Sequence, residues 1–233
     1  LESMQWYLHD DGSLERTPCK CQHFDLFSFT PDHPVPTVGG NIDSGSHIIP
    51  RVPQNQIPHK DHFAASSILP LSARDDVLVF ETAPLTTAVE VVGPIHVKLW
   101  VSSTATDTDF TAKLIDVFPP SEDYPNGYSM NVEDGILRMR FRNSREREEL
   151  MVPGTVYPIT IDLWATANRF SPGHRIRVDI SSSNFPMYDI NPNTGEPLGK
   201  HTHSVRALNR VYHGGEHPSH LHLSVRTPLS GNR

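Results

Sequence analysis

The chain has little of what marks several common protein classes. Lys and Arg number 20 against 27 Asp and Glu, so no excess of positive charge exists to attract nucleic acid or an anionic membrane surface. Aromatic residues make up only 8% of the 233 residues. No run approaches the roughly 20 consecutive apolar residues that a membrane helix needs. We therefore expect a soluble protein with neither a nucleic-acid partner nor a membrane partner.

Cysteine is also scarce, and the two present, Cys19 and Cys21, are separated by a single residue. Closing so small a ring is expected to strain the backbone, so we predict free thiols in a reducing compartment, the cytoplasm. A metal site at this pair needs two further soft ligands, and the sequence has no other cysteine to supply them. We predict no cofactor.

Proline is abundant, with 21 residues against 14 glycines, which disfavours long helices. Residues 30–70 are rich in Pro, Gly, Asn, Ser and His and predict a long irregular segment. Beyond them, apolar and polar residues alternate as in half-buried strands. The alternating runs are residues 95–102, 137–142, 157–163, 175–180 and 221–226. Residues 110–118 are apolar on both faces and predict a central strand.

One-sided strands separated by turn signals, without helices between them, predict an all-β fold of two antiparallel sheets packed face to face. We expect a single β-sandwich domain spanning residues 1–233. A jelly roll is the preferred topology, although the pattern leaves an immunoglobulin-like topology open.

Serine hydrolysis on an α/β scaffold needs a nucleophile on a sharp turn, in the pattern G-x-S-x-G. The sequence does not contain this pentapeptide. The nearest string, GNIDSGSH at residues 40–47, has the wrong spacing and lies in the irregular segment. We therefore predict no catalytic residue in this chain.

Two other functions remain as rival hypotheses. Two pairs of histidines could each present two imidazoles on one strand face to an ion such as Zn²⁺: His201 with His203, and His220 with His222. A third ligand is not evident for either pair, so we predict no metal site. Trp100 falls on the polar face of its strand. It is either a sugar-stacking platform of a stand-alone carbohydrate-binding module or a residue covered by another domain or a loop, and we favour the covered residue.

Six strings occur in one order that resembles the C-terminal domain of the CocE/NonD hydrolases, the acyl esterase and acylase relatives of X-Pro dipeptidyl peptidases. They are FTPDHPVPTVGG (29–40), DTDFTAKLIDV (107–117), DGILR (134–138), SPGHRIRVDISSSNFP (171–186), NPNTG (191–195) and VYH with HPSHL (211–221).

The resemblance implies a jelly roll, galactose-binding-domain-like, that follows an α/β-hydrolase domain bearing the catalytic Ser, Asp and His. No triad residue maps onto this sequence, so the chain is expected to be a non-catalytic part of a longer esterase or acylase. Its expected partner is that hydrolase domain, whose substrate cleft it would help to shape.

We expect the docking face to include Asn184, Phe185, Met187 and Tyr188, because an apolar string in a turn-rich loop needs cover. Trp100 is a further docking candidate. Left uncovered, this patch is expected to promote self-association into a homo-oligomer.

Overall fold

The computed structural model describes residues 1–40, 48–49 and 52–226. These residues form eleven strands and two short 3₁₀ turns, at Leu71–Ala73 and Met139–Phe141. The strands are β1 (Glu2–Leu8), β2 (Leu14–Glu15), β3 (His23–Phe29), β4 (Leu78–Glu81), β5 (Val89–Ser103), β6 (Asp109–Phe118), β7 (Tyr128–Arg138), β8 (Tyr157–Phe170), β9 (Arg175–Ser181), β10 (Ala207–His213) and β11 (His220–Val225). Within the described ranges, no helix has the length and apolar character to span a membrane.

The strands pair antiparallel in two sheets. The larger sheet has seven strands in the order β2-β1-β11-β5-β10-β3, and β8 pairs with β5 along its other edge. The smaller sheet has the order β4-β9-β6-β7, which places β6 centrally, as its two apolar faces predict. The all-β sandwich expected from the sequence is confirmed.

The core lies between the two sheets and follows the alternation of the strands. Val97 and Leu99 of β5 and Leu114 of β6 are fully buried in one continuous apolar cluster. The two sheets come close together at Gly135 of β7, where an added Cβ would lie 2.2 Å from the carbonyl oxygen of Asp162 in β8. Only glycine allows the two backbones to come this near.

The described residues between 30 and 77 cover the outer face of the four-stranded sheet. Val35, Leu71 and Val77 form a small apolar cluster there, and they line one small cavity together with Lys113 and Asp179 of the strands beneath. Polar side chains that point away from the sandwich core on this sheet are therefore buried under a second layer of chain.

The strand predicted over residues 137–142 is wrong beyond Arg138. The chain turns there, and Arg140, expected on the solvent face, is 1% exposed. Its Nε donates to Oδ2 of Asp107 at 2.8 Å, and its backbone N–H donates to Oδ1 of the same carboxylate at 2.9 Å. A buried guanidinium needs such a partner, so the ion pair, which the alternation does not encode, sets the local path.

The prediction of free thiols is also wrong, because Cys19 and Cys21 are joined by a disulfide bond. Their Cα atoms are 5.3 Å apart, within the range of about 4.4–6.8 Å that disulfides bridge. The turn between β2 and β3 brings the two residues to this separation.

The inner face of β8 offers a test of the sandwich core. Ile161 is fully buried, whereas its neighbour Thr160 faces solvent. We expect Ile161→Ala to lower the free energy of unfolding by about 2–5 kcal/mol, through lost burial and a residual cavity. Thr160→Ala, the matched control, should change it by less than about 0.5 kcal/mol. Urea denaturation measures both, and equal effects would contradict the assigned inner face.

Candidate docking surface

The loop that follows β9, residues 182–188, is tied to the irregular segment by backbone hydrogen bonds. The N–H of Phe185 donates to the carbonyl oxygen of Val35 at 2.9 Å, and the N–H of Thr37 donates to the carbonyl oxygen of Phe185 at 2.7 Å. The N–H of Met187 donates to Oγ1 of Thr37 at 3.1 Å. The loop and the segment therefore form one continuous cover over the four-stranded sheet.

A layer of buried charges lies under this cover. Lys113 of β6 is the cross-strand partner of both Asp134 and Asp179, and Arg177 makes a bidentate ion pair with Asp179 in which both distances are 2.6 Å. Nζ of Lys113 also donates to Oε1 of Gln56 in the irregular segment at 3.1 Å. Burial lowers the pKa of Lys113 and raises that of Asp134, because both ions lose hydration.

Asp134 connects this charged layer to the loop. Its carboxylate accepts hydrogen bonds from Nδ2 of Asn184 and from the hydroxyl of Tyr188, each at 3.4 Å. Burial and the nearby carboxylate raise the pKa of the Tyr188 phenol, which therefore remains a donor. Desolvation and the charge of Asp134 likewise raise the pKa of Glu133.

The predicted docking residues lie on two different faces of the sandwich. Asn184 is only 1% exposed and supports the loop from inside, whereas Phe185, Met187 and Tyr188 are half-buried in the loop itself. Trp100 is half-buried on the outer face of the seven-stranded sheet, so the structure does not bring it together with the other four. Their role in docking remains a prediction.

The sequence analysis did not single out the largest exposed apolar side chains near this loop. They belong to the irregular segment and are Val52, Ile57, Phe63, Ile68 and Leu69. The ring of Phe63, 69% exposed, meets the ring of Phe185 edge-to-face with centroids 5.7 Å apart. Apolar residues inside a Pro- and His-rich stretch are the signal that would have found them. We define the docking surface as residues 52–69 and 183–188.

A groove of about 440 Å³ runs along part of the docking surface. Ile57 and Ile68 line it together with the polar residues Gln54 and Lys60. The surface therefore combines an apolar centre with polar groups around it, which is the usual anatomy of a contact between protein domains.

Trp100 lies in a different environment. Nζ of Lys98 is 4.8 Å from the centroid of its ring, and the ring of His217 lies 6.3 Å away. A cation over the indole occupies a ring face that a sugar would otherwise stack on. The carbohydrate-binding hypothesis remains a prediction.

The histidines that the sequence analysis grouped lie in two places. His201 and His203 are in an exposed loop, and His220 and His222 share the outer face of β11. His203 lies beside Glu196 in a loop, and Nδ1 of His220 is 2.8 Å from the carbonyl oxygen of Pro218. Nε2 of His222 is 2.8 Å from Oγ of Ser3, on the outer face of the seven-stranded sheet. The string at residues 40–47, considered as a nucleophile turn, lies almost wholly outside the described residues.

The fold is a two-sheet β-sandwich in which a second layer of chain covers the outer face of the four-stranded sheet. The chain belongs to the family described as the X-Pro dipeptidyl-peptidase C-terminal non-catalytic domain, whose profile matches residues 2–222. The resemblance found in the sequence motifs is thereby confirmed.

Three relatives illustrate this membership. Cocaine esterase from Rhodococcus sp. (strain MB1 Bresler) is 39% identical over 216 residues, which cover 92% of this chain and 34% of the esterase. An aminopeptidase from a marine sediment archaeon, Thaumarchaeota archaeon, superposes with a TM-score of 0.83 at 29% identity, over 97% of this chain and 37% of its own. An α-amino acid ester hydrolase superposes with a TM-score of 0.82 at 31% identity, over 96% of this chain and 36% of the hydrolase chain. The chain spans about a third of the length of these relatives.

The two adjacent carboxyl groups beneath the loop predict a pH-dependent stability. The folded-state pKa of Glu133 is raised, so its contribution to stability is complete below the unfolded-state pKa and is lost as pH rises through the folded-state pKa. Because glutamine does not titrate, Glu133→Gln should stabilise the chain relative to wild type at pH 7.5 and show a smaller difference at pH 4.

Urea midpoints of both proteins at the two pH values measure this effect. The control is Glu122→Gln, which removes the same charge from an exposed turn. A Glu133→Gln difference that does not change between pH 4 and pH 7.5 would contradict the assigned burial of this carboxyl group.

Proposed function

We propose that this chain is the accessory domain of a larger serine hydrolase that cleaves ester or amide bonds, and that it packs on an α/β-hydrolase domain carrying the catalytic Ser, Asp and His. Membership of a non-catalytic domain family supports the first part. The relatives, each about three times as long as the matched region, support the second. Their names include an esterase, an aminopeptidase and an ester hydrolase, which supports acyl transfer as the shared chemistry.

The exposed apolar side chains of the docking surface carry this proposal. Phe63, Ile68 and Leu69 are 69%, 64% and 62% exposed. They lie on a segment held to the sheet at Gln56, which is 1% exposed and whose backbone N–H donates to the carbonyl oxygen of Ser129 at 2.9 Å. An apolar patch presented by a firmly attached backbone is typical of a permanent contact with another protein surface.

Three finer parts of the proposal follow from this arrangement. A domain docked through residues 52–69 and 183–188 narrows the entrance of the substrate cleft of its partner. Without that partner, the same patch drives self-association into a homo-oligomer. A cytoplasmic location remains a prediction, although the disulfide removes the free thiols on which it was based.

The 233-residue chain alone is expected to have no hydrolytic turnover, because its family is non-catalytic and no G-x-S-x-G nucleophile turn is present in its sequence. Hydrolysis of p-nitrophenyl acetate by the chain measures this. The control is the longer protein that includes the hydrolase domain, which should be active. Saturable, inhibitor-sensitive hydrolysis by the chain alone would refute the assignment.

The position of the docking surface is tested by Leu69→Asp in the longer protein. A carboxylate buried without a partner should destabilise the domain contact by at least about 2 kcal/mol and lower both activity and thermal stability. Leu26→Asp is the matched control, because Leu26 is 51% exposed on β3 of the other sheet. In the isolated chain, both variants should have wild-type stability within about 0.5 kcal/mol.

Equal activity of the Leu69→Asp and Leu26→Asp forms of the longer protein would place the contact elsewhere. A loss confined to Leu26→Asp would move it to the outer face of the seven-stranded sheet, the face that carries Trp100.

A further inference from the structure

Three turns of the seven-stranded sheet meet around the two cysteines. Asp10 lies between β1 and β2, Cys19 and Cys21 lie between β2 and β3, and His213 ends β10. Among the described residues, Asp10, Cys19 and Cys21 form a group of potential metal ligands whose donor atoms all lie within 4.8 Å of one another. Nδ1 of His213 is 3.8 Å from Sγ of Cys21.

The environment of His213 is that of a metal ligand. Its side chain is fully buried, and its Nε2 lies 3.0 Å from Oδ2 of Asp25. A carboxylate at Nε2 holds the proton on that nitrogen, so the lone pair of Nδ1 points towards Cys21. A carboxylate behind the ring is the usual second contact of a histidine that binds zinc.

The donor types and the distance between Cys21 and His213 suit a tetrahedral ion. Ligand bonds of about 2.3 Å for sulfur and 2.0–2.1 Å for nitrogen place two such donors about 3.6 Å apart, close to the 3.8 Å observed between Cys21 and His213. The N–H of Cys21 also points at Sγ of Cys19, at 3.1 Å, where it would stabilise a thiolate. After reduction separates the two sulfurs, a small movement of these side chains would bring two thiolates, an imidazole and a carboxylate around one ion.

The site is built by the fold. Gly214, which follows His213, has φ of +76°, and a Cβ there would lie 2.1 Å from the carbonyl oxygen of Cys21. Because Gly214 has no side chain, the turn of the cysteines can lie directly against the end of β10. Asp10 is exposed, so an ion would reach the group from solvent.

We propose that, once the Cys19–Cys21 disulfide is reduced, Cys19, Cys21, His213 and Asp10 bind a Zn²⁺-type ion. A thiol reductant supplies two electrons and two protons, the Sγ–Sγ bond breaks, and the reductant is oxidised to its own disulfide. Binding of the ion then releases the two thiol protons. The disulfide and the metal complex are therefore alternative states of one site, and this site is independent of the docking surface.

Titration of the reduced 233-residue chain with Co²⁺ and Zn²⁺ under anaerobic conditions tests the proposal. One Co²⁺ per chain should bind with sulfur-to-cobalt charge-transfer absorption, and Zn²⁺ should displace it and raise the melting temperature. The oxidised chain and the Cys19→Ser/Cys21→Ser variant should lack this absorption.

Two further variants separate a built site from chance binding. Asp25→Asn should keep the charge-transfer absorption and weaken binding by about ten- to a hundredfold, because it removes only the support of His213. His201→Ala/His203→Ala, the control for exposed imidazoles, should bind as wild type. Absence of charge-transfer absorption in the reduced chain would overturn the proposal. Binding that survives in the Cys19→Ser/Cys21→Ser variant would show an adventitious ion only.

Discussion

The balance of charge on the outer face of the four-stranded sheet is the constraint on which the position of the covering segment and loop depends. Lys113 lies between Asp134 and Asp179, and Arg177 completes the balance with its bidentate ion pair. Burying these charged side chains beneath the irregular segment and the loop costs free energy unless every ion keeps a partner. Gln56 of the segment and Asn184 and Tyr188 of the loop provide those additional contacts. The cover is thereby held in one position.

The inner and outer faces of the sheets therefore have different roles. The inner faces make an ordinary apolar core, whose contribution to stability comes from burial. The covered outer face presents an irregular backbone with exposed apolar side chains such as Phe63 and Leu69, the feature on which the proposed docking rests. The outer face of the seven-stranded sheet carries Trp100 with Lys98 and His217 close to its ring, and so differs in chemistry from the docking surface.

The turn that carries Cys19 and Cys21 lies away from these contacts. It shows that loops and strand ends distant in the sequence can bring potential metal ligands together. Residues 10, 19, 21 and 213 are far apart in sequence and meet because β1, β3 and β10 belong to one sheet. The same antiparallel register that pairs His23 with His213 places Asp25 behind the imidazole. In the site that we propose, the two cysteines, too few by themselves to hold a metal, would gain His213 from the end of β10 and Asp10 from the turn between β1 and β2.

Strand periodicity was readable from the sequence because residues 95–101, 157–163 and 221–225 each have a buried and an exposed side, and burial is a local property of alternating side chains. The ordered motifs likewise identified the family, which the family profile matches over residues 2–222. The turn at Met139, the burial of Arg140 and the disulfide could not be read in this way, because each depends on a partner or a separation that the folded backbone provides.

The alternating pattern and the motifs of the sequence therefore determined the β-sandwich and its family. Tertiary structure alone decided which polar faces are covered, that Trp100 is separated from the loop of Asn184, and that Phe63 and Leu69 are left exposed. These outcomes are set by contacts between segments distant in the chain, and local side-chain patterns carry no information about such distances.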